Sequence, residues 1–165
     1  GMIMAGILAL CIAIVLGLVP AILTGVALAL ALIEGQLGAE RGIVLRAIFE
    51  IALPWLIAQS TFGYFTWLSL VYVLLVTLIY LALLALASTR QTRWIWLGNL
   101  AHLAIIGLLL ATNVPAGAAI VALGLLAQML WQARYRMDRD GRTYARRVQS
   151  YILVGMFVAS LSLWF

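Results

Sequence analysis

Long apolar runs separated by short polar connections constrain the fold of this sequence more than any other feature. Six such runs follow one another, and each has about the length that a helix needs to cross roughly 30 Å of hydrocarbon. Hydrophobic residues make up 67% of the chain and charged residues 9%, whereas soluble domains are roughly 45–50% apolar and about 25% charged. This composition excludes a soluble globule, a disordered tail and a nucleic-acid-binding module, and it predicts lipid as the solvent.

The sequence therefore predicts an all-α membrane helix bundle, with a single transmembrane domain over residues 1–165. Helices satisfy every backbone amide internally, and the runs are too long and too evenly apolar for barrel strands. We expect Gly17 and Pro20 to bend the long first run. At the start of the fifth span, Asn113 is predicted to cap the helix and Pro115 to occupy its first turn. The six predicted spans cover residues 2–33, 44–60, 64–87, 94–111, 115–132 and 148–165.

The charges predict how the spans are oriented. All ten basic residues are arginines. Nearly every charge lies in connections 34–43, 88–93 and 133–147, whereas connections 61–63 and 112–114 carry none. By the positive-inside rule the charged connections are cytoplasmic, which places both termini outside when there are six spans. We expect an integral protein of a bacterial inner (cytoplasmic) membrane, with membrane lipids and other membrane-protein subunits as partners and no nucleic acid.

Two charged regions are candidate binding sites for anions. Arg46 and Glu50 are four residues apart at the cytoplasmic end of the second span, so they share a helix face. They are interpreted either as an interfacial ion pair or as a site for an anionic headgroup or pyrophosphate. The segment 133–147 holds six arginines, including Arg134 and Arg136. It is predicted to contact anionic lipid, with docking to an acidic partner subunit as the alternative.

Four polar residues fall within the predicted fourth and fifth spans, where polar groups need a specific reason. Asn99 and His102 are three residues apart on one span, and Gln128 and Gln132 are four apart on the next. All lie towards the same cytoplasmic end, so we expect an interhelical hydrogen-bond cluster. His102 is the chain's one histidine, and two interpretations stay open: a satisfied interhelical residue, or a ligand to a chlorin or haem. The single cysteine, Cys11, excludes an internal disulfide and a cysteine metal cluster.

Three segments resemble a known family. The run Ile51–Trp67, IALPWLIAQSTFGYFTW, is similar to the fifth span of UbiA-type prenyltransferases, most closely in the (bacterio)chlorophyll synthase branch. Ala118–Asp138 and Tyr144–Leu163 resemble the last two spans of that branch. Their shared pattern is a glutamine-containing apolar span, a charged loop and a helix with tyrosine, glutamine and Gly-Met. The resemblance implies a UbiA-like bundle of which this chain supplies the last six of nine helices.

The sequence departs from this family where its enzymes bind magnesium pyrophosphate. The resemblance implies two aspartate-rich motifs, of which the first lies in a region that this chain lacks. The second corresponds to residues 85–97, which contain Arg90 and Arg93 but no acid, and no carboxylate occurs between Glu50 and Asp138. A divalent ion on a pyrophosphate needs carboxylate oxygens. We therefore predict no catalytic residue and no metal site, with Arg90 and Arg93 as anion-binding residues.

The resemblance implies a UbiA-like membrane subunit that keeps a cavity for an isoprenoid tail or a chlorin and has lost the chemistry. Such a subunit would serve a structural or ligand-binding role in a larger, for example photosynthetic, membrane complex. The expected ligands are a bacteriochlorophyll, a carotenoid, a quinone or a lipid. Two alternatives stay open: an active prenyltransferase seen as a partial chain, and a small transporter, channel or assembly factor unrelated to the family.

Overall fold

The computed structural model describes residues 2–37, 42–63, 65–89, 91–138 and 140–163, apart from the side chains of residues 2, 3, 136–138 and 142. The described residues are almost entirely helical, which confirms the predicted all-α class. They form seven helices: α1 (Met2–Leu16), α2 (Leu18–Leu37), α3 (Ile43–Phe62), α4 (Trp67–Thr89), α5 (Arg93–Ala111), α6 (Pro115–Asp138) and α7 (Gly141–Leu161).

Five helices within the described residues are long and apolar enough to cross a membrane. They are α2, α3, α4, α5 and the part of α6 over Pro115–Tyr135. The outer two helices of the chain differ from the predicted spans. α1 has 15 residues, which is about 22 Å of helix, and α7 starts at Gly141, well before the predicted 148, with polar turns that contain Arg146 and Arg147.

The first predicted span is divided into two helices that fold back on each other. Gly17 lies between α1 and α2 with a φ of 131°, a conformation that residues with a Cβ rarely adopt. A Cβ built on Gly6 would meet the side chain of Leu28 at 3.2 Å, although a continuous helix would separate these residues by about 33 Å. An antiparallel hairpin therefore replaces the single bent span, because Gly17 reverses the chain. The prediction that the N-terminal end lies outside counted residues 2–33 as one span. With two helices in that region, this count no longer places Met2 on the face opposite the charged connections.

Helix α3 runs through Pro54 by widening the turn before it. Residues Ile48–Ala52 form a turn of π-helix, in which the backbone N–H of Leu53 donates to the carbonyl of Ile48, five residues back. Proline has no N–H, and its ring clashes with the carbonyl four residues earlier in a regular α-helix. The wider turn accommodates the ring without ending the helix. The helix ends instead at Gly63, whose φ is 74°.

Asn113 ends α5 and does not cap α6. Its φ of 59° is in the left-handed region, and the N–H of Val114 donates to the carbonyl of Leu109 at 2.8 Å. This is the Schellman arrangement at a helix C-terminus, in which asparagine is tolerated where glycine is commonest. Val114 then takes the N-cap position of α6, because its carbonyl accepts the N–H of Ala118 at 3.1 Å. Pro115 is the first residue of α6, as predicted.

The helices pack into two compact units, Gly1–Val73 and Leu74–Phe165. In the first unit, α2 packs against α1 and α3 and buries Pro20 and Thr24. In the second unit, α6 packs against both α5 and α7. The core of the second unit contains Ile79, Ala82, Leu86, Ile95, Ile105, Leu109, Val121, Leu125, Val148, Ile152 and Ala159.

Gly141 lets the start of α7 approach the end of α4. A Cβ at this position would lie 3.0 Å from the Cα of Ala87 and 3.1 Å from the carbonyl oxygen of Leu86. Both atoms belong to the backbone, which cannot move aside as the end of a side chain can. The close approach therefore requires glycine, and it fixes the first turns of α7, which carry Tyr144.

Candidate functional site

Polar side chains from α5, α6 and α7 meet inside the second unit, near the arginine-rich connection between α6 and α7. On α6, the buried residues Gln128, Gln132 and Tyr135 are spaced four and three residues apart and so lie on one helix face. Asn99 on α5 and Tyr144 on α7 are buried as well. The polar face of α6 therefore supplies side chains to the polar residues of both neighbouring helices, α5 and α7.

Asn99 and Gln132 form a reciprocal amide pair between α5 and α6. The Nδ2 of Asn99 donates to Oε1 of Gln132 at 3.0 Å, and the Nε2 of Gln132 donates to Oδ1 of Asn99 at 2.7 Å. Both residues are at least nine-tenths buried. Two hydrogen bonds in opposite directions fix the rotation of α5 against α6, because a turn of either helix would break both.

Tyr144 joins α7 to the same network. Its phenol interacts with the side chains of Gln132 and Gln128. Burial raises the pKa of Tyr144, and these two hydrogen bonds offset part of the rise. The phenol is therefore neutral at physiological pH. The ring of Tyr144 also packs on Tyr135, with centroids 5.4 Å apart and planes inclined by 47°.

A cavity of about 150 Å³ lies beside this network, between the last turns of α6 and the first turns of α7. We call it the arginine cavity, and it is lined by Trp131, Arg134, Tyr135, Asp140, Thr143, Tyr144 and Arg147. The guanidinium of Arg147 lies 4.2 Å from the centroid of the Trp131 ring, so a cation–π contact orients it. The buried hydroxyl of Tyr135 has no hydrogen-bond partner within the part of the chain that the structure describes.

The charges around the arginine cavity favour an anion. Two guanidinium groups, those of Arg134 and Arg147, line it together with one carboxylate. That carboxylate, Asp140, already accepts hydrogen bonds from the backbone N–H and the hydroxyl of Thr143. This donor set does not suit a magnesium ion, because the single carboxylate in the described lining stands beside two positively charged guanidinium groups. Among the described residues, no group of three histidine, cysteine or acidic side chains is placed to hold a metal ion.

His102 lies deeper in the second unit and lines a separate cavity. Its Nδ1 is 2.8 Å from the carbonyl oxygen of Gly98, one turn earlier on α5, and the residue is 3% exposed. The cavity has a volume of about 230 Å³. We call it the histidine cavity, and it is lined by His102, Ile120, Val121, Leu123, Gly124, Tyr151, Val154 and Gly155.

None of the other predicted anion-binding residues whose side chains are described is part of the lining of the arginine cavity. Arg46 forms an ion pair with Glu50, with 3.0 Å between Nε and Oε1, and both belong to the first unit. Arg93 stacks on the ring of Trp94, 5.2 Å from its centroid, at the start of α5. Arg90 and the side chain of Arg136 lie outside the described residues. Arg134 is thus the one predicted anion-binding residue that the described side chains place in the cavity.

The sequence alone did not single out Tyr135, Tyr144 and Arg147 as site residues. Aromatic residues near the ends of spans are usually interfacial anchors, and an arginine among many gives no signal of its own. One available signal was the spacing of Gln128, Gln132 and Tyr135, which continues the polar face of α6 into the charged connection. No protein-family model, no curated protein and no solved structure matches the chain.

Proposed function

We propose that this chain is a non-catalytic integral membrane subunit that binds the anionic head of an amphiphilic lipid in the arginine cavity. The observation that carries the proposal is the joint presence around one cavity of Arg134, Arg147 and the hydroxyl of Tyr135, which has no hydrogen-bond partner among the described residues. Phosphate and carboxylate oxygens are the usual partners of guanidinium groups. The hydroxyl of Tyr135 supplies a neutral donor to the same anion.

The position of the arginine cavity suits a lipid headgroup. The apolar sequence of α6 ends just before Arg134, the first arginine of the arginine-rich segment. Headgroup phosphates lie at this level of a bilayer, where basic side chains attract anionic lipid. A neutral Tyr144 and the indole of Trp131 complete an amphipathic wall that matches the boundary between hydrocarbon and water.

The absence of catalysis in this proposal rests on the sequence. Residues 85–97, where the resemblance implies an aspartate-rich motif, contain no acid. Among the described residues Asp140 is the one carboxylate that lines the arginine cavity, so a pyrophosphate bound there has no acidic cluster to share a magnesium ion with. The resemblance to UbiA-type prenyltransferases supports an isoprenoid, quinone, carotenoid or bacteriochlorophyll as the amphiphile. It also supports a place for the chain in a larger membrane complex, since a binding subunit without chemistry acts through its partners.

A binding experiment in lipid nanodiscs tests the anion site. Farnesyl monophosphate is the probe, and farnesol, which has the same tail without the phosphate, is its matched control. We expect the phosphate form to bind about tenfold or more tightly than the alcohol, because charge-assisted hydrogen bonds are worth at least that factor. Inorganic phosphate as a competitor separates a lipid site from a simple phosphate site.

Arg147→Gln is the decisive variant, and Arg146→Gln is its matched control on the neighbouring position of α7. Arg147 lines the arginine cavity and Arg146 does not. We expect Arg147→Gln to remove the preference for the phosphate and Arg146→Gln to retain it. If both variants lost the preference for the phosphate equally, binding would depend on the general positive charge of this surface, which would contradict the proposal.

Two assays on the purified protein address the alternatives. Magnesium-dependent transfer of a prenyl group to a chlorin or quinone precursor would identify an active prenyltransferase and overturn the non-catalytic assignment. Substrate flux in proteoliposomes would identify a transporter. Stoichiometric co-purification with other membrane subunits and a tightly bound pigment or lipid is the result that the proposal expects.

A further inference from the structure

The histidine cavity is larger than packing defects usually are. Its volume of about 230 Å³ exceeds that of an engineered cavity of about 150 Å³ that binds benzene. Its lining from α6 and α7 is mostly apolar and includes side chains that are also exposed on the helix surface, Ile120, Leu123 and Val154. The polar members are His102 of α5, which is buried, and Tyr151 of α7. Unlike the arginine cavity, it carries no charged residue, so its ligand differs in chemistry.

Two glycines on facing helices keep the histidine cavity open. A Cβ built on Gly155 of α7 would have no atom within 4 Å, and one on Gly124 of α6 would meet only the Cβ of Tyr151 at 3.9 Å. Helix packing therefore does not require glycine at either position. Glycine also lowers the stability of a helix relative to alanine. The small residues leave space beyond what the contact between the two helices needs.

The hydrogen bond of His102 determines which ring nitrogen faces a ligand as an acceptor. The carbonyl oxygen of Gly98 can only accept, so the Nδ1 that lies 2.8 Å away carries the proton. A charged imidazolium is expensive at this depth in hydrocarbon, so the ring is neutral and Nε2 keeps its lone pair. Within the described residues the one hydrogen bond of the His102 ring is at Nδ1, so Nε2 is available to a ligand in the cavity that this side chain lines.

We propose that the histidine cavity binds an apolar molecule of about the size of a phenol, whose hydroxyl group donates a hydrogen bond to Nε2 of His102. A hydrocarbon in the cavity would leave the lone pair of Nε2 without a hydrogen bond, which is unfavourable in apolar surroundings. A ketone or ether brings no donor, and a carboxylate brings charge into an apolar cavity. The hydroxyl is thus the group that the site selects, and the proposal does not depend on the arginine cavity.

Labelling with ¹⁵N-histidine reports on this site alone, because the chain has a single histidine. The probes are p-cresol and toluene, which differ by one hydroxyl group. We expect p-cresol to bind about tenfold more tightly than toluene, because its hydroxyl forms a hydrogen bond with Nε2 that toluene cannot form. We also expect p-cresol to shift the Nε2 resonance while Nδ1 keeps its proton, and toluene to shift Nε2 much less.

Variants at two glycines separate the cavity from a general effect on the helices. Gly155→Leu fills the cavity and is expected to abolish p-cresol binding, with the Nδ1 proton and the helix content retained. Gly107→Leu on α5 is the matched control, because Gly107 also has no atom within 4 Å of a Cβ but does not line the cavity. His102→Leu is expected to lower the affinity for p-cresol to that for toluene.

Three results would overturn the proposal: equal affinities for p-cresol and toluene, binding of p-cresol that survives Gly155→Leu, or a proton on Nε2 in the unliganded protein. The test is also distinct from that of the arginine cavity. If the two sites are separate, the Arg147→Gln variant loses farnesyl monophosphate binding and still binds p-cresol with unchanged affinity.

Discussion

Asn99 and Gln132 illustrate how polar side chains act inside this apolar chain. Each amide offers both a donor and an acceptor, and the pair uses one of each in two short hydrogen bonds. Neither group can be buried singly at low cost, since an unmet amide in hydrocarbon loses its hydrogen bonds to water. The pair therefore selects one arrangement of α5 and α6 over other apolar packings, which would differ little in energy.

A double-mutant cycle measures the interaction energy between Asn99 and Gln132. We expect Asn99→Leu and Gln132→Leu each to lower the free energy of unfolding by about 1–2 kcal/mol, because each leaves a buried partner unpaired. The double variant should lose less than the sum, with a coupling energy of about 1 kcal/mol. The measurement is reversible unfolding in mixed micelles.

Gln149→Leu is the control for that cycle, since Gln149 lies exposed on α7. Its effect should add to that of Asn99→Leu within about 0.5 kcal/mol. If the effects of Asn99→Leu and Gln132→Leu on the free energy of unfolding were also additive, the two amides would not stabilise each other.

At the scale of single elements, the ends of helices follow from local chemistry more than from apolar runs. Charged residues mark where α4, α5 and α6 end or begin, and the predicted bounds of those spans agree within a few residues except at the polar end of α6. The reversal at Gly17 was not predictable in this way. Glycine inside an apolar run permits both a bend and a turn. The turn is accompanied by packing of α1 against α2, for example at Gly6 and Leu28, and no local pattern encodes such packing.

The candidate site was predictable to a similar extent. The spacing of Asn99, His102, Gln128 and Gln132 places them towards one end of two neighbouring helices, and the structure brings Asn99 and Gln132 into contact. The arginine cavity was not predictable as a site, because it needs α7 to approach α4 at Gly141. Only the folded chain brings the first turns of α7, with Arg147, beside Trp131.

Gly141→Ala tests this approach. A methyl group at Gly141 would lie 3.0–3.1 Å from backbone atoms of Ala87 and Leu86, so α7 must shift away from α4. We expect a loss of about 1–3 kcal/mol of stability, together with weaker binding in the arginine cavity. Thermal unfolding in detergent and farnesyl monophosphate binding are the measurements.

Gly107→Ala is the matched substitution on a helix surface where a Cβ meets no atom within 4 Å. It should leave stability unchanged or raise it slightly, because alanine favours helix. A Gly141→Ala variant that behaves like Gly107→Ala would show that the start of α7 is free to move.

At the scale of the whole molecule, the charged connections predict one cytoplasmic face, and the hairpin of α1 and α2 alters the position of the N-terminal end. Met2 lies near the end of α2 that leads into connection 34–43, because α1 runs antiparallel to α2. We therefore expect the described chain to start and finish on different sides of the membrane, in contrast to the even number of spans expected from the sequence.

Cysteine labelling in a Cys11→Ala background tests this topology. Gln36→Cys and Gln91→Cys should react from the cytoplasmic face, and Leu18→Cys and Ala116→Cys from the opposite face. A tag placed before Gly1 should be accessible from the same face as Gln91→Cys. If the tag were accessible from the same face as Ala116→Cys, residues 2–33 would cross the membrane as a single span.

The hairpin closed at Gly17 also bears on how the protein is made. Its two helices are joined by one residue, so bringing them together costs little loop-closure entropy and needs no residue beyond Leu37. Such a pair can assemble while the ribosome is still adding the following helices, and it offers them a preformed apolar wall in the bilayer. The hairpin is thus the part of the described chain that depends least on the segments that follow it.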